Sequence, residues 1–141
     1  MVLNIKIKSA KNGKTNLLLL LDTNIIVDFL KSEDEPVDLF SLISQHDCFT
    51  SVIVKLEMLK HPTITPSEEN IINEFFQFIP VVSINTAIEK ETISISRVSK
   101  LKLPDAIIGA TAIVYGAEIV TRDQHFLNCR YDKLRIWGSV R

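Results

Sequence analysis

The sequence predicts an α/β fold, with a central, mainly parallel sheet of about five strands and helices on both faces. Three observations predict it. Residues 17–21 are five leucines in a row, a short all-apolar run that reads as a strand buried on both faces, as parallel sheets require. Further short apolar runs alternate with helix-length segments along the rest of the chain. Acids then stand where strands stop. Asp22 directly follows the leucines, and Asp123 follows Ile119-Val120-Thr121-Arg122. In open α/β folds, ligands bind outside the carboxyl ends of the strands.

The elements follow in order. Leu3, Ile5 and Ile7 alternate with Asn4, Lys6 and Lys8, and Asn12-Gly13 is a hairpin turn signal. Residues 1–16 therefore read as an N-terminal extension, a β-hairpin arm leading into the leucine strand. Residues 23–30 continue as a helix, and Pro36 opens another that carries Leu39, Phe40, Leu42 and Ile43. Residues 48–50 are a strand, and Ser51 is placed to cap a helix over Val52–Leu59, which His61-Pro62 ends. Thr65-Pro66-Ser67-Glu68 starts the next helix: Thr65 caps, Pro66 fits the first helical position and Glu68 completes the capping box. Ile71, Ile72, Phe75, Phe76 and Ile79 form its apolar face. Residues 81–84 are a strand and 86–99 a helix with Ile88, Ile95 and Val98 on one side. Leu103-Pro104-Asp105 opens a helix over 106–115 that is apolar nearly all round, hence buried, and Gly116 closes it. Residues 118–121 and 134–137 are the last strands.

Composition narrows the class. A chain of 141 residues fits one domain with a sizeable core. At 46% hydrophobic and 23% charged residues it is globular rather than disordered. A net charge of -1 supplies no global field for nucleic acid, so a phosphate-bearing substrate needs a local basic patch or a metal bridge. Lys6, Lys8, Lys11 and Lys14 fall in an opening stretch without acids; they read as a solvated hairpin face, with a phosphate-contacting arm as the alternative. Cys48 and Cys129 make neither a disulfide framework nor a zinc site, which suits a reducing cytoplasm. The leucine run is too short to span a membrane, and no signal peptide is expected.

Each acid has an ordinary explanation when taken singly. Asp22 and Asp105 stand where helix caps stand, Glu57 has Lys60 and His61 at pairing distance along its helix, and Asp123 suits a turn before His125-Phe126. Jointly they gather at strand ends and the starts of buried helices, which points to one shared site. Carboxylates crowded on one edge raise each other's pKa unless a cation sits among them. Oxygen ligands without convergent His or Cys point to Mg²⁺ or Mn²⁺, ions that activate water and stabilise charge building on phosphorus. Phosphodiester hydrolysis is the natural chemistry.

Four blocks carry a family resemblance. They are Leu-Asp-Thr-Asn-Ile-Ile-Val-Asp-Phe-Leu at 21–30, Ser51 with Glu57, Leu-Pro-Asp-Ala-Ile-Ile-Gly-Ala-Thr-Ala at 103–112, and Ile-Val-Thr-Arg-Asp-Gln-His-Phe at 119–126. In this order and spacing they resemble PIN domains, and more narrowly the VapC-type toxins of bacterial toxin–antitoxin pairs. The resemblance implies a PIN-like three-layer α/β/α nuclease domain over residues 17–141, with metal-dependent endoribonuclease activity using Mg²⁺ or Mn²⁺. It implies catalytic roles for Asp22, Glu57, Asp105 and Asp123, with Asp22, Asp105 and Asp123 as metal ligands. Asn24, Ser51 and Thr121 are supporting residues. His125 is expected beside the site as a structural residue rather than a general acid, and Arg122 and Lys55 as solvated surface rather than phosphate contacts.

The same resemblance implies an RNA substrate, a homodimer, and a small antitoxin that covers the acidic site, with no membrane association. The apolar helix pair at 37–45 and 66–79 is the expected partner surface, unless both helices bury those faces within the monomer. The extension at 1–16 precedes the point where such toxins usually begin. Competing classes are a PIN nuclease of RNA processing or decay, a noncatalytic nucleic-acid-binding PIN domain, and a phospho-signalling or phosphatase domain. The last wants Asp-x-Asp after the first strand, and Asp22-Thr23-Asn24 lacks the second acid.

Overall fold

The leucine run becomes β1 (Leu18–Leu21), and Leu19, Leu20 and Leu21 expose no surface at all. Each such side chain contributes roughly 2 kcal/mol of burial, so this strand alone anchors the core. The computed structural model describes residues 17–31 and 38–138. The hairpin expected over residues 1–16 and the helix start expected at Pro36 lie outside the described residues.

β1 leads without a loop into α1 (Thr23–Lys31), and α2 (Leu39–Gln45) follows, capped by Asp38, whose carboxylate accepts from Ser41 N. Then come β2 (Asp47–Ser51), α3 (Val52–Leu59), α4 (Pro66–Phe78) and β3 (Val81–Val82). The chain returns through α5 (Thr86–Val98) and α6 (Leu103–Tyr115) to β4 (Glu118–Val120) and the short α7 (Gln124–Leu127). The four strands form one parallel sheet in the order β3-β2-β1-β4. Leu19 pairs with Cys48 of β2 on one side and Glu118 of β4 on the other, so β1 is central and has to be apolar on both faces.

The order reverses direction after β3. Right-handed crossovers then put α1–α4 on one face and α5–α6 on the other, which gives the three layers. The segment expected as a fifth strand, 134–137, joins the sheet by a single rung: Ile136 bridges Ile119, with Ile119 N donating to Arg135 O and Trp137 N to Ile119 O, both at 2.9 Å. β4 is only three residues long and offers no more ladder than that. β3 is likewise shorter than expected, because Asn85 already caps α5 by accepting from Ile88 N.

Other local signals resolve as written. Thr65 and Glu68 form a reciprocal capping box at 3.0 and 3.1 Å. Gly116 ends α6 in the left-handed region at φ 68°, where a Cβ would be strained. Helix α5 packs on α6 with Ile88 and Ile95 buried, whereas Val98, expected on the same side, is exposed at the end of the helix; α4 turns Phe75 inward against Phe29 of α1, ring centroids 6.1 Å apart. No helix among the described residues is long and apolar enough to cross a membrane.

Candidate active site

Chain topology decides where the acids meet. The chain leaves β1 in one direction and comes back to β1's other side as β4, so the β1–β4 seam is the switch point of the sheet. Asp22 follows β1 directly and Thr121-Arg122-Asp123 follows β4, placing both segments at the carboxyl end of that seam. β2 feeds α3, which carries Glu57, and α6 starts with Asp105 in its first turn.

Asp22 is the buried member, 4% exposed. Its backbone extends the sheet, N donating to Val120 O at 3.0 Å. Its Oδ1 accepts from Thr23 N at 2.8 Å and its Oδ2 from the Thr121 hydroxyl at 2.7 Å. Burial pushes its pKa up to about 6; the two hydrogen bonds pull against that, and the charges of Asp105 and Asp123 add to it. Thr121 Oγ1 also accepts from Asp123 N at 3.0 Å, so one hydroxyl ties the end of β1 to the start of the next loop.

Asp123 caps α7, accepting from His125 N at 2.9 Å, and the His125 ring nitrogen Nδ1 lies 3.1 Å from the same carboxylate. Asp105 is not the cap of its helix. α6 begins earlier than expected, at Leu103, with Lys102 in the cap position making no side-chain bond there, so Asp105 points out of the first turn. Its carboxyl is raised above the ordinary range by burial first, then by Asp123 and Glu57. Asp105, Asp123 and His125 each offer a ligand atom, and these lie within 4.8 Å of one another. Glu57, on the neighbouring helix, accepts from the Thr23 hydroxyl at 3.2 Å.

The tight grouping contains Asp105 and Asp123 of the expected ligand set and adds His125. Both Asp22 oxygens are engaged by donors, and it meets the cluster through its charge, while His125 stands in the ring of donors. Asn24 faces the loop rather than an acid, its Oδ1 accepting from Arg122 N at 3.4 Å. Ser51 caps α3 by accepting from Ile53 N at 3.1 Å, and among the described residues it shows no bond to an acid. Arg122 is neither plain solvated surface nor an open phosphate contact: its guanidinium grips Asp28. Thr23 escaped the sequence reading; its only signal was its place between Asp22 and Asn24.

Among the described residues, no Lys or Arg forms an ion pair with Asp22, Glu57, Asp105 or Asp123. Carboxylates that raise one another, with only the charges of His125 and Lys102 to offset that at Asp105, fit a hard divalent cation. The donor set of two carboxylates and one imidazole is compatible with Mg²⁺ and more so with Mn²⁺.

Comparison with known proteins agrees with this architecture. No match was found among curated protein sequences. A chain of a toxin–antitoxin complex from Klebsiella pneumoniae superposes with a TM-score of 0.66 at 25% identity, over 84% of this chain and 99% of that one. A chain of the promoter-DNA-bound VapBC2 complex from Rickettsia felis gives 0.69 at 18% identity, covering 85% and 97%. One from DNA-bound VapBC of Salmonella typhimurium gives 0.68 at 20%, covering 85% and 96%. The two latter likenesses are of fold. Residues 19–130, from the buried leucines through the loop of Asp123 and beyond α7, match the family model described as PIN domain. With the model spanning most of its length and the acids set at the switch of a parallel sheet, this chain belongs to the PIN domain family.

Proposed function

We propose that the domain at 17–141 is a metal-dependent endoribonuclease that hydrolyses RNA phosphodiester bonds, using Mg²⁺ or Mn²⁺, and acts as the toxin of a type II toxin–antitoxin pair. The observation that carries this reading is the acid cluster itself: Asp105 and Asp123 side by side, with Asp22 and Glu57 beside them and, among the described residues, no Lys or Arg paired to any of them. Asp105, Asp123 and His125 would hold the ion, with Asp22 joining them directly or through water. When bound, the cation supplies a Lewis acid for the phosphoryl oxygens and lowers the pKa of water.

The chain's own groups divide the remaining work. Thr121 keeps the Asp22 carboxylate turned and ties it to the Asp123 backbone. His125 holds Asp123 in place. Glu57 stands at the site's edge, oriented by Thr23, and it or Asp123 would take the proton of an attacking water.

An antitoxin partner is supported by a groove of about 410 Å³ that starts at Thr23 and Glu57 and runs between α1, α3 and α4. Val27, Leu30, Met58, Ile64, Ile71 and Ile72 line it, so an apolar segment lying there would bring a basic side chain to the acids. The groove adds α1 and α3 to the expected helix pair: Leu39 and Leu42 of α2 are buried in the core, while Phe40 of α2 and Phe78 of α4 stay exposed. Self-association is part of the same proposal. Leu56 and Leu103, 54% and 64% exposed, are solvated apolar side chains near the site, of the kind that interfaces cover.

The test is cleavage of a mixed-sequence RNA with Mg²⁺ or Mn²⁺, with and without chelator, for the wild type and Asp22→Asn. Cleavage that needs the cation and disappears in the variant is expected. Equal cleavage by both proteins would mark a contaminant and end the nuclease reading. Purification from the native host should bring down a small second chain; finding this chain alone counts against the toxin role.

A further inference from the structure

Arg122 sits between two residues of the site, Thr121 and Asp123, yet its side chain turns away from the acids. Its Nε and Nη2 donate to the two oxygens of Asp28 at 2.8 and 3.0 Å, a two-pronged contact that fixes direction as well as distance. Asp28 lies four residues after Asn24 on α1, so both occupy one face of that helix. Asn24 takes the Arg122 backbone N–H and Asp28 takes its guanidinium. The stretch from Thr121 to Asp123 belongs to neither strand nor helix. It is held to the end of β1 and to α1 by the Thr121 hydroxyl, the Asn24 amide and the Asp28 fork.

This loop carries a load. It has to present the Asp123 carboxylate beside Asp105, and the two charges repel. As a contribution to stability, an ion pair whose arginine is about half exposed is worth little. Its geometry is more telling: it pins the residue next to Asp123 to a rigid helix, and it neutralises the guanidinium that would otherwise be able to swing onto the cluster and take a cation's place. Resting on the nuclease reading above, we propose that Arg122 and Asp28 are a positioning pair that sets Asp123 against Asp105 and keeps the arginine charge out of the cation site.

Mn²⁺ binding measured by titration calorimetry on the full chain tests this, alongside steady-state RNA cleavage. Arg122→Lys keeps the charge and loses the fork; Asp28→Asn keeps the shape and frees the guanidinium. Both are expected to weaken Mn²⁺ binding by about tenfold, the scale typical of groups that orient metal ligands. The value of kcat should fall in step while KM for RNA holds. The exchanged pair Asp28→Arg with Arg122→Asp should recover part of both. Unchanged Mn²⁺ affinity in the two single variants overturns the positioning role, even with wild-type cleavage intact. A wild type that neither binds Mn²⁺ nor cleaves RNA overturns the nuclease reading and this inference together. Should Asp28→Asn fail to fold, Arg122→Lys alone decides.

Discussion

Asp22 and Asp123 stand at the ends of neighbouring strands, yet they are held in opposite ways. Asp22 is sealed under the sheet edge at 4% exposure, with a donor on each oxygen. The Asp123 side chain is 30% exposed and kept in place by a helix cap, a histidine and a loop that borrows its hold from α1. Burial makes the first carboxylate pre-placed and expensive to ionise. Exposure leaves the second dependent on its neighbours for position. A PIN site of this kind combines one acid fixed by the core with others fixed by hydrogen bonds, and the two sorts should respond differently to perturbation.

The largest expected effect separates activity from stability at the buried acid. Asp22→Asn should lower RNA cleavage by more than about 100-fold, beyond the range for groups that only orient ligands. The same change removes a buried charge, so the metal-free protein should melt higher at pH 7, by about 1–3 kcal/mol of stability. Asp123→Asn should also lose activity but leave the melting temperature nearly unchanged. A lower melting temperature for Asp22→Asn would break the comparison.

The next effect is on pH dependence. With an Asp22 pKa of about 6 in the fold against 3.8 as the ordinary value, the native state keeps a proton that the unfolded chain has released between those values. Stability of the metal-free protein should therefore fall as pH rises from about 4 to about 6 and then level off, by roughly 3 kcal/mol in total. Cation binding needs the ionised carboxylate, so Mn²⁺ affinity should rise over the same window. Denaturant melts from pH 4 to 8 check the first and calorimetry the second; Asp22→Asn should flatten the stability trend.

Thr121→Val sharpens the contrast further. It removes the hydroxyl that lowers the Asp22 pKa and the acceptor of the Asp123 N–H, and should cost about 1–3 kcal/mol. The midpoint of the pH trend should move upward, because a bond favouring the charged form is lost. The smallest effect belongs to Thr23→Val. Its 3.2 Å bond to Glu57 is part-buried, so about 1 kcal/mol or less and a several-fold loss of cleavage are expected.

The elements most legible in the sequence were those whose cause is local. The leucine run announced a two-sided burial, Thr65 with Glu68 announced a capped start, and Gly116 announced a left-handed stop. Helix α6 starts three residues before the expected Ala106, because Pro is at home in the first turn and no side chain caps the helix to mark its start. The strands at 81–84 and 134–137 are shorter than their apolar content suggests, because a cap at Asn85 and a three-residue partner in β4 limit their pairing.

The residue types at the site follow from the order of amino acids, because a buried strand that stops on a carboxylate has few other meanings. Which atoms touch does not. Thr121 reaches Asp22 across 99 residues and Arg122 reaches Asp28 across 94, so only the closure of β4 onto β1 could decide that the arginine faces a helix. The same closure set Asp105 and Asp123 beside His125 and turned Asp22 into a buried neighbour. Hydrogen bonds of this length are directional within a fraction of an ångström, and no pattern along the chain carries that information.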